Sequence, residues 1–286
     1  MARGLAIRPP GLRAAQRAGT IASHAILIAF VVIVVYPVAW MVLASFKTQA
    51  ELVSNSWGLP QTFAWDNYAL AWGRARLGSA LLNSVLVSLG TVALVTGVGA
   101  LAGYALASFR FRFATAIFLL FVLTMQAPVP IIPLYAWLVA LRMTDSIIGL
   151  VLPLVAGGLP LAIFIFRAYF GAFPRELRDA AVVDGCGEVG AFWRVVLPIS
   201  GPAVATVAIL QFLGAWNEYF LALILIRSPE LRTLPLAIQV FFYAFGRTEW
   251  PQVFAALTVG SLPMIIVYVL MQRQFIQGLT AGAVRG

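Results

Sequence analysis

Charge is scarce in this sequence. Asp, Glu, Lys and Arg make up 10% of its 286 residues, against ~25% in an ordinary soluble domain. Hydrophobic types make up 62%, an excess that one soluble core could not hide. These figures exclude a water-soluble globular protein. They also exclude a disordered chain, which needs low hydrophobicity and high charge. The single cysteine, Cys186, can form neither an internal disulfide nor a thiolate metal site. The single histidine, His24, argues against a histidine-based metal or acid–base centre. The one lysine, Lys47, stands between Phe46 and Thr48, so there is no Gly-Lys-Ser/Thr phosphate loop.

What remains is a polytopic membrane chain. A spanning helix needs ~20 apolar residues to cross ~30 Å of hydrocarbon. Six runs free of Asp, Glu, Lys and Arg are long enough. They lie between Arg17 and Lys47, Arg76 and Arg110, Arg112 and Arg142, Asp145 and Arg167, Arg194 and Glu218, and Glu249 and Arg273. The fifth resumes as Tyr219–Ile226. The predicted fold is therefore all-α, with spans at about 20–44, 78–108, 113–140, 146–167, 197–226 and 250–272. Residues 18–286 form one transmembrane domain, preceded by a segment 1–17 and ending in a tail 273–286. The first run is too long for a cleaved signal peptide and lacks a small-residue cleavage site.

Six spans put both ends on one side. That side would hold 12 of the 19 Lys and Arg residues and the other side 7. The excess predicts cytoplasmic termini. The net charge of +9 thus reads as a topology signal, not as a nucleic-acid footprint.

Two soluble stretches stand out. The outer loop from about Lys47 to Arg76 carries Trp57, Trp65, Tyr68 and Trp72. It reads as an aromatic belt with a short amphipathic segment at the lipid surface, or as a partner-docking loop. The stretch at about 168–196 is longer than a connector needs. Pro174 suits a first helical position and Glu176 faces the helix dipole. Gly185 can take the left-handed conformation that ends a helix. A second helix would run from about Glu188 through Val196, and Pro198 would mark a break or the start of the next span. Such a helix pair could also be an amphipathic connector lying on headgroups.

The motif in this loop is specific. Asp179-Ala180-Ala181, three residues, Gly185, nine residues, Val195, one residue, Leu197-Pro198 resembles the cytoplasmic signature loop of ABC-importer permease subunits. That loop reads Glu-Ala-Ala, three residues, Gly, nine residues, Ile, one residue, Leu-Pro. The tail Gly278-Leu279-Thr280-Ala281-Gly282 is similar to the ending of the carbohydrate-uptake, maltose-transporter-type group. Asn83-Ser84, Ile132-Pro133-Leu134-Tyr135 and Trp216-Asn217-Glu218 are similar to that group as well. The resemblance implies a six-span permease, not an enzyme, with a coupling-helix loop between spans 4 and 5. It implies a heterodimer with a second permease in the cytoplasmic (inner or plasma) membrane, two ATPase subunits below and an extracytoplasmic substrate-binding protein above. No cofactor would sit on this chain, and ATP and magnesium would be used by the ATPases. Asp179, Ala180, Ala181, Asp184, Gly185, Leu197 and Pro198 would then be the coupling residues, with Asp179 paired to a basic residue of the ATPase.

The substrate path is less determined. Glu218 is an acid within an apolar stretch, and such charges are costly and usually functional. It could instead pair with Arg227 or Arg247 and fix the outer loop. Trp216, Asn217 and Tyr219 would suit a sugar or ordinary interfacial anchoring. Asn83, Gln126 and Gln211 are polar groups at span depth that could line a path or join helices. The loop from Pro229 to Glu249, with Gln239, Phe241, Phe242 and Tyr243, could reach a binding protein. An ion-coupled secondary transporter is the rival reading, but it would want ionisable residues mid-membrane, and five of the six runs have none.

Overall fold

The computed structural model describes residues 10–173, 185–243 and 248–283. Every regular element among them is helical, as expected where each backbone group must find its partner inside its own segment. Helix α1 is Pro10–Ser45, α2 Gln49–Ser54, α3 Asp66–Arg74 and α4 Leu77–Ser108. They are followed by α5 Ala114–Thr124, α6 Ile131–Ala140 and α7 Ile147–Gly171. Next come α8 Glu188–Ile199 and α9 Gly201–Trp216, α10 Phe220–Leu225, α11 Leu234–Ile238, α12 Val240–Tyr243 and α13 Trp250–Ala283. Four stretches are long and apolar enough to cross a membrane unaided: Gly19–Ser45, Leu77–Ser108, Ile147–Gly171 and Trp250–Arg273. The pair α8 and α9 adds a fifth if its two bent parts count as one.

Two of the predicted spans are not continuous helices. The stretch 113–140 is two short helices, α5 and α6, separated at Met125–Pro130. Pro128 and Pro130 explain the break. Neither has an N–H to donate, and each pushes the residue before it out of the helical region. The stretch 197–226 is interrupted twice. It bends by 77° between α8 and α9 and opens again between α9 and α10. The first bend falls at Ser200, not at Pro198. A wide π turn over Phe192–Val196 precedes Pro198 and makes room for its ring, so the helix continues past it to Ile199.

The core is built on α4 and α7, the most extensive helix pair. Glycines set their distance. A Cβ on Gly99 would lie 2.9 Å from the Cβ of Ala162, and one on Gly103 would lie 2.5 Å from that of Phe166. Gly90 faces Val151. The order 90 to 151, 99 to 162 and 103 to 166 shows that the two helices run parallel. The chain between them must therefore return across the whole thickness, which is the path of α5 and α6. Helix α9 packs on α4 and on α13, and α1 stands against α13 with its apolar stretch otherwise uncovered.

The loop after α1 folds into a cap. Thr48 caps α2 by accepting from the Glu51 N–H, and the Glu51 carboxylate accepts from the Gln61 N–H. Lys47 is 1% exposed and donates to the carbonyls of Asn55 and Ser56. Trp40 donates to the Ser56 carbonyl from α1. Trp57 lies against Tyr36 and Trp40, while Phe46 packs with Phe63, Trp65 and Tyr68.

Candidate functional site

The parallel pair α4–α7 gives the molecule two distinct ends. At the end where both helices finish lies an elbow. Gly185 takes φ +83°, a conformation that L side chains rarely adopt. The turn that Gly185 opens leads through Cys186 and Gly187 into α8. There Phe192 is 2% exposed and sits 5.0 Å from Tyr104 of α4 and 6.4 Å from Phe170 of α7, by ring centroids. Tyr104 and Phe170 meet edge-on at 5.7 Å. One aromatic side chain thus ties the arm after Gly185 to the last turns of both central helices. Ser200 is fully buried at the bend, its hydroxyl donating to the Val196 carbonyl. Leu197 and Pro198 lie on the arm, lining an apolar cavity of about 300 Å³ with Phe192, Trp193 and Gly97. Asp179, Ala180, Ala181 and Asp184 fall outside the described residues, as does Pro174.

At the opposite end, where α4 and α7 begin, lies a polar latch. Asp145 holds positive φ in the turn before α7. Its N–H donates to the Leu225 carbonyl at 2.8 Å. Its carboxylate accepts from the N–H groups of Arg227 and Ser228, each at 2.9 Å, and from the Ser228 hydroxyl. These bonds, the Ser228 hydroxyl foremost, hold the Asp145 carboxyl below its ordinary value. The Arg227 guanidinium donates to the Tyr135 hydroxyl on α6. Arg76 pairs with Glu230; the contact of Glu230 with its own backbone, and then the Arg76 hydrogen bond, hold its carboxyl below the ordinary value. The Asn83 carboxamide donates to the carbonyls of Glu230 and Arg232, and the Ser84 hydroxyl accepts from the Leu234 N–H.

The predicted path residues do not form one cluster. Asn83 is a buried anchor for the latch. Gln211 packs between α9 and α7, with its carboxamide against Gly158. Trp216 is 2% exposed, stacks on Phe212 and donates to the Gly260 carbonyl, so it joins α9 to α13. Asn217 is exposed and donates back to the Leu213 carbonyl. Glu218 is bonded to the Leu221 N–H at 2.7 Å. It caps α10, as an acid at a helix N-terminus should. Of the two arginines expected to pair with it, Arg227 gives its guanidinium to Tyr135, and Arg247 falls outside the described residues. Tyr219 is half-buried against the central core. Gln126 is exposed, at the break between α5 and α6. In the outer loop, Phe241 is buried to 1% and points inward. His24 is exposed and hydrogen-bonded to the Thr20 carbonyl.

Sequence reasoning missed Asp145, which had served only as the edge of a charge-free run. Its signal was present: an Asp-Ser pair directly before an apolar run is a turn and cap pattern. Ser146 does cap α7 by accepting from the Gly149 N–H.

Residues 96–281 match a family described as binding-protein-dependent transport system inner membrane component. The chain is 36% identical over 255 residues to the sulfoquinovosyl glycerol transport system permease protein SmoH of Agrobacterium fabrum, covering 88% of this chain and 89% of that one. It is 34% identical to the diacetylchitobiose uptake system permease protein NgcG of Streptomyces coelicolor, covering 92% and 88%. It is 33% identical to the arabinooligosaccharides transport system permease protein AraQ of Bacillus subtilis, covering 88% and 90%. A crystal structure of a bacterial ABC transporter involved in the import of the acidic polysaccharide alginate has a chain of like fold. Its TM-score is 0.79 at 22% identity, over 91% of this chain and 98% of that one.

Proposed function

The chain belongs to the binding-protein-dependent transport system inner membrane component family, and from that membership we propose how it works as one permease subunit of an ABC importer for carbohydrate. Its relatives are permeases, so it is a transport component and not an enzyme. The substrates they are named for are glycosides and oligosaccharides, which favours a hydroxyl-rich solute here. The chain pairs with a second permease and receives solute from a binding protein on one side. It couples to two ATPases on the other, which use the ATP and magnesium. It crosses the membrane six times, the third crossing being α5 and α6 together, with both termini in the cytoplasm.

The observation that carries the mechanism is the elbow. Gly185, inside the signature spacing, turns the chain by a positive φ into an arm that Phe192 fixes to α4 and α7. ATP-driven closure of the ATPases moves the loop. The arm is too short and too well packed to absorb that movement, so it passes to the central helix pair as a rigid-body shift. Asp179, Ala180, Ala181, Asp184 and Gly185 are the docking surface, with Asp179 paired to a cation of the ATPase.

Asp179→Lys tests this. A like-charge contact replacing an ion pair at a partly buried interface weakens binding by orders of magnitude. The variant should insert normally and lose co-purifying ATPase. A headgroup-lying connector would tolerate or welcome the added cation. A full complement of ATPase at normal membrane expression would remove Asp179 from the coupling surface.

A further inference from the structure

The break between α5 and α6 has a depth that the fold itself defines. The two helices carry the chain back between the parallel helices α4 and α7. Phe118 of α5 stacks on Phe164 of α7 at 6.2 Å, and the Arg167 guanidinium lies 3.7 Å over its ring. Six residues further on, at ~1.5 Å per residue, Thr124 stands ~9 Å nearer the latch. That is about level with Gly158, near the middle of Ile147–Gly171. On the far side of the break, Tyr135 of α6 already meets Arg227 of the latch. The non-helical segment Met125–Pro130 therefore lies near mid-membrane.

None of the described residues covers it. Residues 123–130 are all exposed. The N–H groups of Met125, Gln126 and Ala127 are satisfied by the carbonyls of Val122, Leu123 and Thr124. No backbone N–H among the described residues reaches the carbonyls of Met125, Gln126, Ala127, Pro128 or Val129. Open carbonyls at mid-depth cannot face lipid. They occur there only where protein covers them or water fills a cavity. A helix of the second permease has no spare N–H groups to offer them, whereas water and sugar hydroxyls do.

We propose that this interruption, with the Gln126 carboxamide and the carbonyls of Met125–Val129, is the surface this subunit presents to the passing solute. The proposal rests on the permease reading and adds the contact site and its chemistry. The run from Phe113 to Leu141 holds no charge, so the surface selects an uncharged, hydroxyl-rich solute by hydrogen bonds, not an ion. Donors on the solute meet the carbonyls, and the carboxamide both gives and accepts. Helices that end at the break, instead of running through it, keep those carbonyls available.

The test is thiol accessibility in the whole complex, in membranes, with the water-soluble reagent methanethiosulfonate-ethyltrimethylammonium as probe. Single variants Gln126→Cys and Val129→Cys are compared with Val31→Cys on the uncovered face of α1. Modification is read by mass spectrometry on this chain's own peptides. Position 126 should react at least tenfold faster than position 31, and its rate should change severalfold when the ATPases are trapped with ATP and vanadate. A rate at 126 no faster than at 31 overturns the proposal, since the break is then dry. A fast rate indifferent to trapping overturns it too, since the water is then a static crevice. Failure of the permease reading looks different: no ATPase would co-purify with the wild-type chain, whatever the rates.

Discussion

Gly185 separates backbone geometry from packing more cleanly than any other residue of the elbow. Its φ is +83°, and a Cβ added there would meet nothing within 4 Å among the described residues. A side chain at this position therefore costs conformational energy and no collision. For an L residue that cost is ~1–2 kcal/mol, and a β-branched residue stands at the upper end or above it. About 2 kcal/mol lowers the population of the correct turn roughly thirtyfold, at ~1.4 kcal/mol per factor of ten. Asn enters the left-handed region more readily than other side chains. The expected order of coupling is wild type, then Gly185→Asn, then Gly185→Ala, with Gly185→Val last. The assay is binding-protein-stimulated ATP hydrolysis by the reconstituted complex, normalised to the amount of this chain in the membrane. Valine matching asparagine would refute a requirement for positive φ. Three variants impaired alike would also refute it, because a demand for positive φ grades the three side chains by how readily they enter that region.

Phe192→Ala should uncouple hydrolysis from transport and lower the melting temperature. Truncating a buried Phe costs ~3–5 kcal/mol in soluble cores, and each aromatic pair adds ~0.5–1.5 kcal/mol. Phe192→Leu should lie between, and Trp193→Ala, whose ring is half exposed, should be milder; equal melting curves for wild type and Phe192→Ala would count against the tie. Asp145→Asn should loosen the latch, seen as faster proteolysis of the 227–232 segment. The wild-type carboxyl lies below its usual 3.8, so its contribution is complete above that pH and fades only as pH falls through the lower folded value. The Asp145→Asn deficit should therefore be constant from about pH 5 to 8; a deficit that appears only near neutrality would contradict the assignment. Gly103→Val should reduce folded yield, because even its Cβ would lie 2.5 Å from that of Phe166 and overpacking costs ~1–3 kcal/mol.

How much the sequence revealed depended on the kind of signal. Charge-free runs find apolar length, so they located the long helices α1, α4, α7 and α13 well. They are blind to continuity. Gln126-Ala127-Pro128-Val129-Pro130 carries no charge, and the run from Arg112 to Arg142 reads as one span although two prolines divide it. The spacing around Gly185 named a residue whose φ is positive. Spacing says nothing of what the arm touches, so the role of Phe192 against Tyr104 and Phe170 needed the fold. Glu218 illustrates a different gap. An acid in apolar surroundings invites a substrate role, but a carboxylate three residues before Leu221 is also placed to cap a helix, and it does so. Asp145, Ser228 and Arg227 are 82 and 83 residues apart in sequence, and no local pattern joins them.

The two ends of the molecule are mechanically one object. Helix α4 carries Asn83 and Ser84 at the latch and Tyr104 at the elbow. These are separated by about 21 residues, or ~31 Å of unbroken helix. Along that length α4 lies on α7 at glycine distance, and α7 carries Phe170 to the elbow and begins beside Asp145 of the latch. Close-packed interiors shift between discrete arrangements more readily than they stretch. A displacement of the arm at Phe192 therefore cannot be taken up between the ends by compressing the α4–α7 contact. It must rotate or slide the pair, and the pair's far end is held by apolar packing, with Leu77, Ala80, Leu150 and Leu225 all buried there, and by polar groups: the Asp145 carboxylate, the Arg76–Glu230 pair and the Asn83 carboxamide. The exposed Arg76–Glu230 pair is exchangeable with water at little net cost, whereas the buried Asn83 carboxamide and the aromatic tie at the elbow are not. The elbow is the end that the arm moves, the latch is the end whose exposed ion pair can re-form elsewhere, and the interrupted α5–α6 crossing lies at the depth between them.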